Sequence, residues 1–105
     1  MELVKATVDG LRRGQMVQSL AGRDQGQLYI IVGFLEDHLL LLANGRERPI
    51  TRPKKKNIRH VKVLFWIDPS IEAKLNNGET VTDEEIRNSL NRRQEELEEG
   101  AMILG

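Results

Sequence analysis

Residues 27–45, QLYIIVGFLEDHLLLLANG, contain two apolar segments separated by a two-residue polar turn. The first segment, Gln27–Leu35, is rich in Leu, Ile, Val, Tyr and Phe, which suit the pleated surface of a β-strand. The second, His38–Ala43, follows Glu36-Asp37 and is mostly leucine. Asn44-Gly45 then indicates a tight hairpin, because both residue types tolerate positive φ. The stretch therefore predicts two antiparallel strands and a turn into a third.

Shorter strands are predicted on both sides of this stretch. A mixed segment at Gln15–Leu20 precedes it, and Arg46–Thr51 would be the strand that returns from the hairpin. Pro49 has no N–H to donate, so that strand is expected to lie at an edge of the sheet or to be interrupted there. After a basic run, His60–Leu64 supplies a last strand. Five short strands within about fifty residues, joined by turns, are typical of a small, mainly β barrel.

The two central strands lack the alternation of apolar and polar residues that a half-exposed strand shows. Neither Leu28–Val32 nor Leu39–Leu42 contains a charged or amide side chain. A strand that is apolar on both faces must be covered on both. The barrel interior covers one face. The N-terminal segment, the C-terminal segment or a second copy of the chain would have to cover the other.

A helix is predicted near the end of the chain. Thr82 and Glu85 have the spacing of a capping box, in which each side chain satisfies a backbone N–H of the other residue. The helix is expected over Asp83–Glu99 and is expected to end at Gly100, because glycine favours the left-handed conformation beyond a helix C-terminus. A shorter helical turn is predicted at Ser70–Leu75, started by Ser70.

The predicted helix has a thin apolar stripe of Ile86, Leu90 and Leu97, so it is expected to dock loosely or to stay free in solution. These signals divide the chain into three parts. They are an N-terminal segment (1–13), a five-stranded β-barrel (14–64) and an acidic, partly helical C-terminal extension (65–105).

Composition excludes several kinds of protein. A chain of 105 residues has room for one domain and an appendage. It has no cysteine, which excludes disulfides and thiolate metal sites. The N-terminus does not have the pattern of a signal peptide, and the longest apolar runs are only five residues long, too short to cross a bilayer. We expect a soluble, cytoplasmic protein with no membrane partner.

The motif content does not favour catalysis. The chain has two histidines, His38 and His60, and no Walker or dinucleotide-binding glycine pattern. No segment resembles a nucleophile elbow, and the glutamates near the chain end lack the ligand spacing of a calcium loop. We therefore expect no enzyme activity, no cofactor, no metal and no small-molecule substrate.

The net charge of zero conceals a strong asymmetry along the chain. Residues 1–62 carry 12 Lys/Arg and 6 Asp/Glu, a net charge of +6. Residues 63–105 carry 4 Lys/Arg and 10 Asp/Glu, a net charge of −6. The contrast indicates a part that faces a polyanion and an acidic tail, rather than charges scattered over a surface. The tail would fold back and compete with the polyanion, or it would only keep the protein soluble or cover the apolar strand Leu39–Leu42.

Two elements of the basic part have the chemistry of a phosphate-binding surface. In the loop Ala21–Gly26, two glycines four residues apart permit a tight turn that presents Arg23 outward. The segment Arg46–His60 carries seven Lys/Arg, which would neutralise phosphates regardless of base sequence. The alternative for the first element is an ordinary hairpin loop with a surface arginine. The alternative for the second is a solvated loop that blocks aggregation.

The order of these parts resembles the KOW domain. Gly14-Gln15-x-Val17 is followed by Ser19-Leu20-Ala21-Gly22-Arg23-Asp24-x-Gly26, a hydrophobic strand, Asn44-Gly45, and Arg48-Pro49 leading into the basic run. More narrowly, residues 14–60 resemble the bacterial KOW-domain proteins related to the archaeal and eukaryotic large-subunit ribosomal protein numbered fourteen. The resemblance implies an SH3-like barrel, an RNA partner that is usually ribosomal RNA, no enzyme activity and no cofactor.

The predicted protein is therefore a mainly β, five-stranded SH3-like (KOW) barrel with a C-terminal helical tail, which binds RNA in the translation machinery. A protein-interaction barrel of the transcription or translation machinery and a structural homodimer are the alternatives. Four aromatic residues lie in apolar runs and are expected in the core, so base stacking should contribute little: Tyr29, Phe34, Phe65 and Trp66. The candidate RNA-binding residues are Arg23, Gln27, Arg46, Arg48, Arg52, Lys54, Lys55, Lys56, Arg59, His60 and Lys62.

Overall fold

The computed structural model describes residues 10–104, and the side chains of residues 10–95. Most of the predicted N-terminal segment, residues 1–9, lies outside the described residues. The strands are β1 (Gln15–Ser19), β2 (Leu28–Leu35), β3 (Leu39–Ala43), β4 (Lys54–Asn57) and β5 (Val61–Ile67). The α-helices are α1 (Pro69–Asn76) and α2 (Asp83–Leu104).

The strands form one antiparallel sheet in the order β4-β3-β2-β1-β5. β1 to β4 pair in succession, and β5 returns to pair with β1, so β4 and β5 are the edge strands. A single turn of 3-10 helix, Ile58–His60, connects these two edge strands. The predicted fold class, a small mainly β barrel of five strands followed by a C-terminal helix, is confirmed. Within residues 10–104 no helix has the length and hydropathy needed to cross a membrane.

The connection between β3 and β4 differs from the prediction. Arg46–Thr51 forms bends and turns, and the basic run Lys54–Asn57 is the strand that pairs with β3. The cause is the side-chain oxygen of Asn44, which accepts the backbone N–H groups of Arg46 and Arg48 at 2.9 and 3.0 Å. These bonds occupy donors that a strand ladder would otherwise use. The predicted returning strand is therefore wrong.

Gly45 does not lie in a two-residue hairpin. It lies in the β3–β4 connection, which packs against α2. Its φ is +76°, and a Cβ there would lie 2.5 Å from the backbone oxygen of Asp83 in the first turn of α2. Arg87 of α2 donates to the Gly45 carbonyl at 2.7 Å, and the Ile50 N–H donates to the Asp83 carboxylate at 2.7 Å. Both contacts attach the β3–β4 connection to α2.

Two apolar cores lie on opposite faces of the sheet. The barrel interior is formed by Leu11, Val17, Tyr29, Ile31, Leu40, Leu42 and Val61. The second core lies between the sheet and the helices and is formed by Met16, Ile30, Ile71, Val81, Ile86 and Leu90. The C-terminal segment therefore covers the outer face, which was one of the three predicted possibilities.

β2, like β1, is buried on both faces. Tyr29 and Ile31 face the barrel interior, whereas Ile30 faces the helices and is fully buried. The prediction that both faces of this strand are covered is confirmed. β3 is different, because Leu39 and Leu41 on its outer face are only half-buried.

α2 is firmly docked, although its thin apolar stripe predicted loose docking. The exposed fractions of Ile86 and Leu90 are 0% and 9%. The predicted capping box is confirmed, since the Thr82 N–H donates to the Glu85 carboxylate at 2.8 Å and the Glu85 N–H donates to Thr82 Oγ1 at 3.1 Å.

The predicted end of this helix is wrong. The α2 backbone passes through Gly100 and continues to Leu104. The residues after Gly100 are Ala, Met, Ile and Leu, all compatible with a helix. Glycine inside a helix costs about 1 kcal/mol, which is too little to end a helix by itself.

Asp68 joins the two helices. One of its carboxylate oxygens caps α1 by accepting the backbone N–H groups of Ser70 and Ile71 at 3.0 and 3.1 Å. The other accepts the Ser89 hydroxyl of α2 at 2.7 Å and a guanidinium N–H of Arg92 at 3.3 Å. α1 therefore begins one residue before the predicted start, with Asp68 and not Ser70 as its N-cap.

Candidate nucleic-acid interface

The β1–β2 loop, Ala21–Gly26, is the tight turn that its glycines predict. Gly22 and Gly26 both have φ near +91°, a conformation that residues with a Cβ rarely adopt. The Gly26 N–H donates to the Ser19 carbonyl at 2.8 Å and closes the loop. Arg23 lies between the two glycines with an exposed side chain. The loop therefore presents its arginine to solvent on a constrained backbone.

Asp24 anchors this loop to the barrel. One carboxylate oxygen accepts hydrogen bonds from Ser19 Oγ at 2.9 Å and from Lys56 Nζ at 3.1 Å. The other accepts from the Tyr29 hydroxyl at 2.7 Å and lies 2.9 Å from Lys54 Nζ. Four side chains from β1, β2 and β4 thus converge on a single loop residue.

The electrostatics of this cluster keep Asp24 ionised. Burial by itself raises the pKa of the Asp24 carboxyl, but hydrogen bonds from Tyr29, Lys54, Lys56 and Ser19 outweigh burial and hold the pKa well below its ordinary value. Burial, followed by the hydrogen bond to Asp24, raises the pKa of Tyr29 well above its ordinary value. The tyrosine therefore stays protonated and remains a donor to the carboxylate.

The basic strand β4 has two kinds of lysine. Lys54 and Lys56 turn toward the loop and form ion pairs with Asp24, and Lys56 also donates to the Ala21 carbonyl at 2.7 Å. The exposed fraction of Lys56 is only 9%. Lys55 lies between them on the opposite side of the strand and is exposed. Two of the three lysines predicted to bind phosphate are therefore engaged within the protein.

Lys56→Ala is expected to lower the free energy of unfolding by about 1–3 kcal/mol, because it removes a mostly buried donor from both Asp24 and Ala21. Lys55→Ala is the matched control, with an expected change within about 0.5 kcal/mol. Urea denaturation followed by circular dichroism measures both values. Equal losses for the two variants would contradict a stabilising role for the Lys56 contacts.

The exposed arginines after β3 are held in place by Asn44, which is itself buried. Besides accepting the N–H groups of Arg46 and Arg48, the Asn44 side chain donates to the Glu47 carboxylate at 3.1 Å. Arg48 lies close enough to Tyr29 for its charge to act on the hydroxyl. The β3–β4 connection therefore presents Arg46 and Arg48 on an ordered backbone beside the Asp24 cluster.

Two further predicted residues border the loop through backbone contacts. The Leu20 N–H donates to the His60 carbonyl at 2.8 Å, and Lys62 pairs in register with Gln18, whose side chain donates to the Gly26 carbonyl at 3.1 Å. We call the exposed side chains around the loop the loop face: Arg23, Gln27, Arg46, Arg48, His60 and Lys62.

Three predicted residues lie apart from the loop face. Arg52, Lys55 and Arg59 are exposed, but within residues 10–95 no described side-chain contact connects them to the loop. Arg52 and Arg59 donate only their backbone N–H groups, to Pro49 and Asn57. They extend the positive charge along neighbouring segments without belonging to the same cluster.

Comparison with known proteins gives one significant match and no matching family model. The chain is 31% identical over 70 residues to "Putative ribosome-binding protein YbzG" of Bacillus subtilis (strain 168), a match that covers 67% of this chain and 95% of that protein. The chain belongs to the YbzG family. The narrower resemblance to the KOW domain and to ribosomal protein fourteen stays a prediction.

In this YbzG-family chain, α2 contributes to the surroundings of the loop face, which the sequence did not predict. A groove beside Gln27 and Arg46 is lined on its other side by Arg87, Asn91 and Gln94 of α2. The three helix residues have i, i+4, i+7 spacing, which places them on one helix face. The spacing is present in the sequence. The net negative charge of residues 63–105, however, argued against a role for α2 in binding a polyanion.

The prediction that all four aromatic residues lie in the core is wrong for Phe65. The Phe65 side chain is 97% exposed on the edge strand β5. The register of β5 against β1 shifts between the pairs Val17–Val63 and Gln15–Ile67, so three β5 residues oppose a single β1 residue. Phe65 lies in this irregular part of β5, on the same side of the strand as Val63 and Ile67.

Proposed function

We propose that this protein is a non-catalytic RNA-binding module that associates with the ribosome through ribosomal RNA. The observation that carries the proposal is the loop face, in which exposed Arg23, Arg46, Arg48 and Lys62 surround a loop held by the Asp24 cluster. The Bacillus subtilis relative, whose name describes it as ribosome-binding, supports the ribosome as partner. Ribosome association implies a cytoplasmic location.

The chemistry of the loop face suits phosphate. A guanidinium presents a planar fork of donors that can bind phosphate through two parallel hydrogen bonds. Because the backbone around Arg23 and Arg46 is already constrained, less conformational entropy is lost on binding than with a flexible basic tail. Contacts of this kind position RNA without selecting bases. We therefore expect recognition of backbone shape with modest sequence preference.

The proposal includes no catalytic step. His38 and His60 are both exposed, and no hydrogen bond to either imidazole is described within residues 10–95. The same part of the chain contains no group of three or more acidic or histidine side chains placed to hold a metal ion. The proposed action is binding, with RNA as the ligand and no small molecule consumed.

One observation favours a protein contact as a second function. Phe65 lies next to Val63 and Ile67 on β5, whose outer edge has no strand partner within residues 10–104, and these side chains line an open apolar surface with Leu11. A ribosomal protein could bind there while RNA binds the loop face. Phe65→Ala would then weaken binding to purified ribosomes and leave binding to naked RNA unchanged.

The RNA proposal predicts salt-steep binding. If four to six phosphates are neutralised, the slope of log affinity against log salt should be about −3 to −4, at about −0.7 per phosphate for single strands. Arg23→Ala should reduce the magnitude of the slope by about 0.7 and weaken binding several-fold at low salt. Fluorescence anisotropy with a labelled single-stranded RNA measures both quantities.

The matched control is Arg12→Ala. Arg12 is another exposed arginine, but its guanidinium pairs with Glu72 of α1 at 2.6 Å, away from the loop face. Its removal should leave the slope unchanged. A parent slope near zero, or no RNA binding at low salt, would falsify the RNA proposal. Equal effects of the two substitutions would show that only overall charge matters and that the loop face is not the site.

A further inference from the structure

The groove between the barrel and α2 has a composition unlike that of the loop face. It has a volume of about 240 Å³ and opens between Gln27 and Arg46 on the barrel side and Arg87, Asn91 and Gln94 on the helix side. Leu28 and Leu90 add apolar surface to the lining. No carboxylate lines it, although α2 begins with three consecutive acidic residues.

The polar side chains of the groove can both donate and accept hydrogen bonds. Gln27, Asn91 and Gln94 each carry an amide with two donor hydrogens and an acceptor oxygen. Arg46 and Arg87 supply only donors, and the described bond from Arg87 to the Gly45 carbonyl uses one of its five N–H groups. Amides read the edges of bases, whereas guanidinium groups bind phosphate. The groove combines both chemistries around apolar side chains.

The helix faces explain how an acidic segment provides such a surface. Arg87, Asn91 and Gln94 recur at i, i+4 and i+7 and therefore share one face of α2. Glu85 and Glu95 line a different cavity, on the side of α2 that faces α1. The two cavities share Asn91, but none of the acidic residues of α2 up to residue 95 lines the groove.

We propose that this groove holds one nucleotide of a single RNA strand that runs from the loop face onto α2. The inference rests on the proposed function and adds α2 to the binding site. Gln27 and Arg46 belong to both surfaces, so a strand bound along the loop face would continue into the groove. A volume of about 240 Å³ is below the roughly 300–1,000 Å³ of pockets for drug-sized ligands, and it suits a single base. A base of single-stranded RNA can be splayed out of its stack, and its edges are then accessible to amide side chains.

The test compares two substitutions that each convert an exposed α2 amide into the carboxylate of the same shape. Gln94→Glu places the charge in the groove, and Asn88→Asp places it in the neighbouring cavity that Glu85 and Glu95 line. With a labelled single-stranded oligouridylate as probe, Gln94→Glu should weaken binding about tenfold, because the new charge opposes phosphate and the amide donors are lost. Asn88→Asp should change binding by less than about twofold. Circular dichroism and thermal unfolding of both variants report whether the fold is retained.

A second measurement locates the strand directly. Photocrosslinking with a thiouridine-substituted oligonucleotide, followed by mass spectrometry of the peptides, should mark α2 around Gln94 as well as the barrel around Gln27. Equal binding by Gln94→Glu and Asn88→Asp, or crosslinks on the loop face alone, would overturn the groove while leaving the RNA proposal intact. A parent protein that does not bind the oligouridylate, or that binds it without salt dependence, would overturn both.

Discussion

Replacing Asp24 by Asn is expected to destabilise the protein by about 2–4 kcal/mol. The change leaves Lys54 and Lys56 next to a neutral amide, although Lys56 is mostly buried. It also weakens the hydrogen bonds from Tyr29 and Ser19, because hydrogen bonds to a charged acceptor are the stronger kind. Urea denaturation measures the loss.

The same substitution should alter the response to acid. The pKa of Asp24 is depressed in the folded protein, so its contribution to stability is fully present above the unfolded value, about 3.9, and is lost as pH falls toward the folded value. The parent should therefore lose stability below about pH 4, and Asp24→Asn should lose less over that range. Asp37→Asn, an exposed carboxylate in the β2–β3 turn, is the matched control and should behave like the parent. If both variants had parental stability, the Asp24 cluster would not support the loop.

Truncation after Asn77 is expected to prevent stable folding. It removes Ile86 and Leu90 from the second core and exposes Met16 and Ile30 on the outer face of the sheet. Burial of each such side chain contributes about 1.5–3 kcal/mol, so the four together amount to roughly 6–12 kcal/mol. The whole stability of a small domain is only about 5–15 kcal/mol. The truncated protein should aggregate or show no cooperative thermal transition.

The control is a truncation after Glu95, which keeps every buried contact that the described side chains make. It should unfold cooperatively, close to the parent melting temperature. The two truncations also separate the roles considered for the acidic tail. A chain ending at Asn77 that folds and binds RNA more tightly at low salt would favour competition between the tail and RNA and would contradict the covering role of α2.

Strand and helix positions were predictable wherever the signal was local. β2 and β3 follow from runs of β-branched, aromatic and leucine residues and β1 from a short mixed segment, and the observed bounds of all three differ from the predicted ones by one residue at most. The capping box at Thr82 and Glu85 formed as predicted, because it depends on residues three apart. The returning strand after Asn44 failed because a side chain captured the backbone N–H groups that the strand would have used.

The candidate site also has some features that local sequence predicts and others that depend on the tertiary structure. The turn at Gly22 and Gly26 and the exposure of Arg23 follow from glycine spacing, which acts within six residues. The ion pairs of Asp24 with Lys54 and Lys56 could not be predicted from local sequence. The partners lie 30 and 32 residues apart and meet only when the β1–β2 loop comes close to β4.

By itself, the sequence determined the positions of β1, β2 and β3, the glycine turn that presents Arg23, and the start of α2, because each has a signal among near neighbours in the chain. Only the tertiary structure decided which basic side chains are available to a ligand and which face of α2 lies beside them. Burial and ion pairing are properties of the assembled surface. The same lysine run supplies a solvent-exposed charge at Lys55 and a structural one at Lys56, because neighbouring side chains of a strand point to opposite sides.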